Sequence, residues 1–309
     1  CSRLLRERLR LARRLPEELP TMAVLSEIQG PALQDEKGLG SLTLPGFLAD
    51  LNDRFGSREA LRWQDLAGVE RGWTYSQMYN ESLAVAKALL ATGVGKGTRV
   101  GLLVSNRPEW LFGMFGAAMA GAVTVALNTF STEQELGYQL RLADVEVLIM
   151  EAGVASNDFV ATIFTLCPPL AAATPGELLY DELPFLRRVV CLDSGQSRAG
   201  LQDWDDFLAL GENIPASVAK AAAASSSPVD QGLIFFSSGS TAQPKAIQQT
   251  HRAATLQCWR FGHWYGVDSA VRTWSANGFF WSGNFAMAFG STLSVGGCLI
   301  LQRYFDPDS

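Results

Sequence analysis

"GVGKGTRVGLLVSNRPEWLFGMFGAAMAGAVTVALNTFSTEQELGYQLRLADVEVLIM", residues 93–150, decides the fold. A glycine-punctuated turn feeds an apolar run from Arg99 to Val104, the length of a buried strand. Ser105 or Asn106 is the expected cap of the helix that follows, and Pro108 falls in its first turn, where a missing N–H costs nothing. That helix should stop near Gly121. "AVTVAL" (122–127) reads as a second strand. "STEQELGYQLRL" (131–142) reads as a second helix, with Ser131 as cap and Gln134 three residues on, the capping-box spacing. "VEVLIM" (145–150) reads as a third strand. Strand, helix, strand, helix, strand with short connections specifies an α/β fold, a parallel sheet covered on both faces.

Outward from this βαβαβ unit the pattern continues. Upstream, residues 60–74 suggest a hairpin, followed by an amphipathic helix over about 76–92. Downstream, "LRRVVCLDS" (186–194) suggests another strand, and "AAAASSSPVD" (221–230) a low-complexity connector between subdomains. Next come a buried strand, "GLIFF" (232–236), a loop, "SSGSTAQPK" (237–245), a short strand, "AIQQT" (246–250), and a helix from His251, with Thr250 as its cap. The expected boundaries are a basic extension over 1–21, a first subdomain over about 45–225, and a second beginning near 230.

Composition narrows the chemistry. With 48% apolar and 18% charged residues, the 309-residue chain is globular, long enough for two domains or one large one. Its net charge of -6 argues against a nucleic-acid partner, which demands clustered Lys and Arg. Five scattered cysteines without a CxxC pair, and two histidines, predict no disulfide framework, no metal site and a reducing compartment, cytoplasmic or an organelle matrix. The segment "CSRLLRERLRLARRL" (1–15) sets six arginines among leucines, read either as a non-native or exposed extension or as a targeting or membrane-surface helix. Two uncharged stretches, 110–127 and 273–302, reach spanning length. Both are read as buried helix and strand, because glycines and polar residues break them.

The loop at 237–245 carries the most chemistry. Ser237, Ser238, Gly239, Ser240 and Thr241 supply four hydroxyls and a run of N–H groups on a backbone that glycine lets approach a ligand closely, the groups that wrap a polyphosphate. Lys245 adds a compact positive charge, and Pro244 stiffens the approach. The bland reading is a solvated Ser/Gly loop. A Walker P-loop is excluded, because Pro244 and Ala246 stand where Gly and Ser or Thr would be needed. No GxSxG serine-hydrolase elbow occurs.

Taken whole, "FFSSGSTAQPKAIQQTH" (235–251) resembles the phosphate-binding signature of the adenylate-forming (AMP-binding) superfamily, close to YTSGTTGxPKG followed by Thr-His. Ala242 and Ala246 stand where that pattern prefers glycine. "WTYSQM" (73–78), residues 93–140 and "FDPDS" (305–309) are similar to acyl-CoA synthetase landmarks in the same order, so the resemblance covers about 45–309.

The resemblance implies the amino-terminal part of a ligase that activates a hydrophobic, fatty-type carboxylic acid to an acyl-adenylate and then an acyl-CoA, with ATP, Mg²⁺ and coenzyme A as co-substrates. It implies that Ser237, Ser238, Gly239, Ser240, Thr241 and Lys245 bind the ATP phosphates. It also implies an acyl pocket built partly from "SANGFFWSGNFAMAFGS" (275–291), with Phe280, Trp281 and Gly283 as its residues and no carboxylate to pair a substrate ammonium. Phe285 and Phe289 divide between pocket and core. The magnesium-binding glutamate, the ribose-binding aspartate and the lid lysine of that family have no counterpart in this sequence, so no catalytic residue is assigned and the 309 residues alone are expected to be inactive. The alternative is a non-catalytic nucleotide-binding or interaction protein of the same descent.

Overall fold

Pro108 opens a helix whose residues are buried around nearly its whole circumference, Glu109 alone excepted. Such a helix has to sit between layers. The computed structural model describes residues 32–65, 68–193, 199–237 and 243–303. The basic extension (1–21) and the closing "FDPDS" lie outside them. By contact the chain divides between Lys37 and Gly38. Of the first unit only a 3-10 turn, Leu33–Asp35, is described as an element. All that follows concerns the second.

In chain order that unit contains α1 (Leu44–Phe55), β1 (Glu59–Gln64), β2 (Glu70–Thr74), α2 (Tyr75–Ala91), β3 (Arg99–Leu103), α3 (Pro108–Met119) and β4 (Val123–Ala126). There follow α4 (Glu133–Leu142), β5 (Val145–Met150), the two-residue pair β6 (Gly153–Val154) and β7 (Asn157–Asp158), α5 (Phe159–Leu166), β8 (Arg188–Cys191) and β9 (Leu201–Asp203). After α6 (Trp204–Ala209) and α7 (Ala216–Ala224) come β10 (Gln231–Ser237), β11 (Lys245–Thr250), α8 (His251–Trp264) and β12 (Arg272–Trp274). A helical segment over 282–294, α9, has a π-helical middle, Phe285–Gly290, and leads to β13 (Cys298–Leu301).

Two sheets result. The larger has the order β11-β10-β4-β3-β5-β8-β9, parallel throughout except for the antiparallel edge pair β10–β11. The smaller has the order β12-β13-β1-β2. Side chains alternate across the larger sheet as strand geometry requires. Leu233, Phe235, Val147 and Ile149 join a core with α1, α2, α3 and α8, while Ile234, Leu148 and Met150 join a second core with α4 and α5. The connections from β3 and β4 thus leave toward opposite faces. Ligands in such sheets bind outside the carboxyl ends of the strands, where connections diverge.

Local chemistry explains the packing. Thr43 caps α1 by accepting from the Gly46 N–H, and Thr74 with Gln77 closes a capping box on α2. A Cβ on Gly116 would lie 2.6 Å from Val85 Cβ, so this glycine is what lets α3 lie against α2. The uncharged stretch 110–127 is therefore α3 followed by β4, and 273–302 is broken among β12, α9 and β13. Among the described residues no helix is long and apolar enough to cross a membrane.

Three local expectations are corrected. The cap of α3 is Arg107, without a side-chain cap bond. The capping box of α4 is Thr132 with Glu135, one residue later than expected. Ser131 is engaged elsewhere: its N–H donates to the Asn128 carbonyl and its Oγ accepts from Gln139 Nε2. The supposed connector at 221–230 begins inside α7, where its alanines favour helix.

Candidate active-site cleft

β10 ends at Ser237 and β11 begins at Lys245, and these two residues are paired in register. Directly opposed antiparallel residues sit about 5 Å apart at Cα. The segment between them is therefore the connection of a hairpin, and its two stems bring the first hydroxyl and the lysine of the expected phosphate loop side by side. Ser238, Gly239, Ser240, Thr241 and Ala242 lie outside the described residues. Ala246 follows as a β11 residue opposite Phe236.

Beside these stems opens a cleft of about 440 Å³. Ser237, Gln243 and Pro244 line it on the loop side, and Phe235, Phe236 and Ile247 from β10 and β11. Phe280 and Trp281 form the opposite apolar wall. Asn128, Ser131, Glu135 and Gln139 add a polar wall from the end of β4 and from α4. The cleft lies at the carboxyl ends of β4 and β10. Its polar wall has no separate signal in the sequence, since Ser131 and Gln139 read equally well as helix-end and helix-face residues.

The aromatic segment divides sharply. Phe279, Phe285 and Phe289 belong to the core: Phe279 meets Trp110 at 5.1 Å and Phe289 at 6.0 Å, and Phe285 meets Phe289 at 4.7 Å. Phe280 packs edge-on against Phe130 at 6.2 Å, and Trp281 is 49% exposed. Gly283 is not among the residues lining this cleft; it lines an adjoining groove of about 470 Å³ with Gln248, Gln257, Phe261 and Met287, and Ser282 lines both. The space over Gly283 is filled by the Trp281 indole, which a Cβ there would meet at 2.5 Å.

Thr250 caps α8, accepting from the Ala253 N–H at 3.2 Å. His251 is 1% exposed, and its Nδ1 accepts from the Leu44 N–H at 3.3 Å. The imidazole therefore ties α8 to α1. Burial pulls its pKa down to about 4, with Asp230 opposing and Lys96 assisting. It is a neutral structural acceptor. Among the described residues no three His, Cys, Asp or Glu side chains converge to hold a metal ion. The cleft offers one described carboxylate, Glu135, already engaged with Thr132.

Comparison with known proteins places these features. The sequence model of the AMP-binding enzyme family matches residues 48–309. A putative acyl-CoA synthetase, YngI of Bacillus subtilis, is 27% identical over 266 residues, covering 86% of this chain and 48% of that protein. The mitochondrial medium-chain acyl-CoA ligase ACSF2 of Danio rerio is 27% identical over 295 residues, covering 94% and 45%. The chain thus spans about half the length of these curated relatives. The crystal structure of the anthranilate CoA ligase AuaEII with anthranoyl-AMP superposes with a TM-score of 0.71 at 25% identity, over 85% of this chain and 45% of that one.

Proposed function

Because the chain belongs to the AMP-binding enzyme family, we propose that it carries the phosphate-binding loop and part of the acyl pocket of a ligase that activates a hydrophobic, fatty-type carboxylic acid with ATP. One observation carries this reading. A single cleft is lined both by the stems of the 237–245 loop and by Phe280 and Trp281, so the leaving phosphates and an apolar acyl group have one shared space.

In the first step a carboxylate oxygen of the acid attacks the α-phosphorus of ATP. The bond to the β-phosphate oxygen breaks, pyrophosphate leaves, and an acyl-adenylate remains. The thiol of coenzyme A then attacks the acyl carbonyl, and AMP departs with the bonding electrons. The task of Ser237–Thr241 and Lys245 is to hold the leaving phosphates and stabilise their charge with hydroxyl, N–H and ammonium groups. Phe280 and Trp281 form the acyl wall. The 275–291 segment has no carboxylate, so it does not favour an amino-acid substrate. Among the described residues no three His, Cys, Asp or Glu side chains converge on a cation, and no step is assigned to the metal. His251 has no part as a base, because its ring acceptor is occupied and buried.

Acid-dependent ATP–pyrophosphate exchange by the full-length gene product, with medium- and long-chain acids, tests the reaction. Exchange with none of them overturns it, and ATP binding without exchange selects the non-catalytic alternative. Lys245 is exposed, so its charge is partly screened. Lys245→Ala is expected to weaken ATP binding about tenfold and to flatten its dependence on salt. Titration calorimetry at two ionic strengths checks this, and an unchanged affinity removes Lys245 from the phosphate site.

A further inference from the structure

Between β3 and α3 the chain turns a buried corner, Ser105–Arg107, where no residue is more than 7% exposed. Arg107 takes the cap position of α3 and Pro108 starts the helix, so the Asn106 side chain is free of local work. It reaches instead a segment 171 residues away. Its Nδ2 donates to the Asn277 carbonyl at 2.8 Å, and its Oδ1 accepts from the Phe279 N–H at 2.8 Å. One side-chain amide thus offers to the 277–279 backbone the donor and acceptor that a neighbouring strand would offer. Asn284 Nδ2 donates to the same Asn277 carbonyl at 2.7 Å, which draws the two ends of the turn together.

The corner is itself anchored. The Asn106 N–H donates to the Arg303 carbonyl at 3.1 Å. Arg303 Nε bonds Glu151 Oε2 at 2.7 Å, and its Nη2 donates to the Gly153 carbonyl at 2.6 Å. Glu151, wholly buried just beyond β5, accepts the Ser105 N–H at 2.6 Å. The clamp therefore rests on both sheets, through β3 and β5 of the larger and through the residues after β13 of the smaller.

The clamped turn is where the aromatic run changes sides. Phe279 enters the core against Trp110, and the next two residues, Phe280 and Trp281, line the cleft. Holding the Phe279 N–H fixes the point at which the backbone hands its side chains from core to cleft. We propose that Asn106 is a positioning residue of the acyl site, holding the Phe280–Trp281 wall through its two bonds to the 277–279 backbone. This rests on the reading of the cleft as an acyl site. Without the clamp the turn can rotate, and the half-exposed Trp281 indole loses its fixed place over Gly283.

Asn106→Asp separates positioning from mere filling. The carboxylate has the same shape and still accepts from Phe279, but it sets an acceptor against the Asn277 carbonyl. The full chain is titrated with decanoate and, separately, with ATP. Trp281 is followed by acrylamide quenching, taken as the difference from Trp281→Phe on each background, which isolates it from the other tryptophans. The variant should bind decanoate about tenfold more weakly, bind ATP within about twofold of the parent, and expose Trp281 to quencher more fully. Unchanged decanoate affinity and quenching overturn the proposal. Parallel losses of both ligands that track a lowered Tm overturn it too, since they mark general loosening. If the parent chain takes up no decanoate, the acyl reading fails, while the quenching difference still decides the clamp.

Discussion

Replacing Glu151 with alanine is expected to destabilise the chain by about 3–5 kcal/mol, the usual cost of removing one partner from a buried ion pair. Glu151 is 0% exposed and serves three groups: the Ser105 N–H, Arg107 at 3.5 Å and Arg303. The loss is unequal among them. Arg107 keeps a two-point bond to Glu109, at 2.7 and 3.0 Å, together with its contact to Asp193. Burial pulls Arg107 toward its neutral form, but Glu109, Asp193 and Glu151 outweigh this and hold it above the ordinary arginine range. Among the described residues, Arg303 would keep the Gly153 carbonyl alone and the buried Ser105 N–H would have no acceptor, so the penalty comes chiefly from these two. Urea unfolding of the full chain measures it. Adding Arg303→Met should recover part of the loss, because the orphaned charge is removed with its partner. A single substitution costing under about 1 kcal/mol would show that the carboxylate does not hold this corner.

This corner also shows what the sequence could and could not reveal. The βαβαβ core was legible because its signals are local. Apolar runs of strand length alternate with helical spacing, and Pro108 and Gly121 mark the ends of α3. The same locality misled the reading of caps. Residues 131–135 contain Ser-x-x-Gln and Thr-x-x-Glu in overlapping frames, and only the tertiary claims on Ser131 decide for Thr132. Asn106 reads as a helix cap because small polar residues before Pro commonly are. Its true partners lie 171 and 173 residues away, beyond any periodicity. Glu151 appears in the sequence only as the residue after a strand. For the candidate site, the phosphate-loop string and the Phe280–Trp281 pair were readable as a motif. That both line one cleft, and that Gly283 lies under the indole beside a second groove, depends on how α9 packs.

The same dependence on distant packing governs His251 and sets the behaviour of the chain in acid. Its ordinary pKa of 6.5 is lowered to about 4 in the fold, first by burial, while Asp230 opposes and Lys96 reinforces the shift. Between those values the unfolded chain binds a proton that the folded chain excludes, so stability rises with pH. The contribution is fully present above about pH 6.5 and is lost progressively as the pH falls toward 4. At about 1.4 kcal/mol per pH unit, the full loss is about 3 kcal/mol. Asp230, held below its ordinary range first by its bond to Lys96, stays ionised through this window and does not mask the effect. Protonation would also set an N–H against the Leu44 N–H, and the ring stands over Gly232, where even a Cβ would lie 2.8 Å from Nδ1. The imidazolium therefore has little room to relax. His251→Asn retains an acceptor but does not titrate. Urea unfolding of both chains at pH 7.5 and at 4.5 should show the parent losing about 2–3 kcal/mol more than the variant. Parallel losses would mean that the imidazole titrates alike in the folded and unfolded chains, and that the α1–α8 tie is not what makes the fold acid-sensitive.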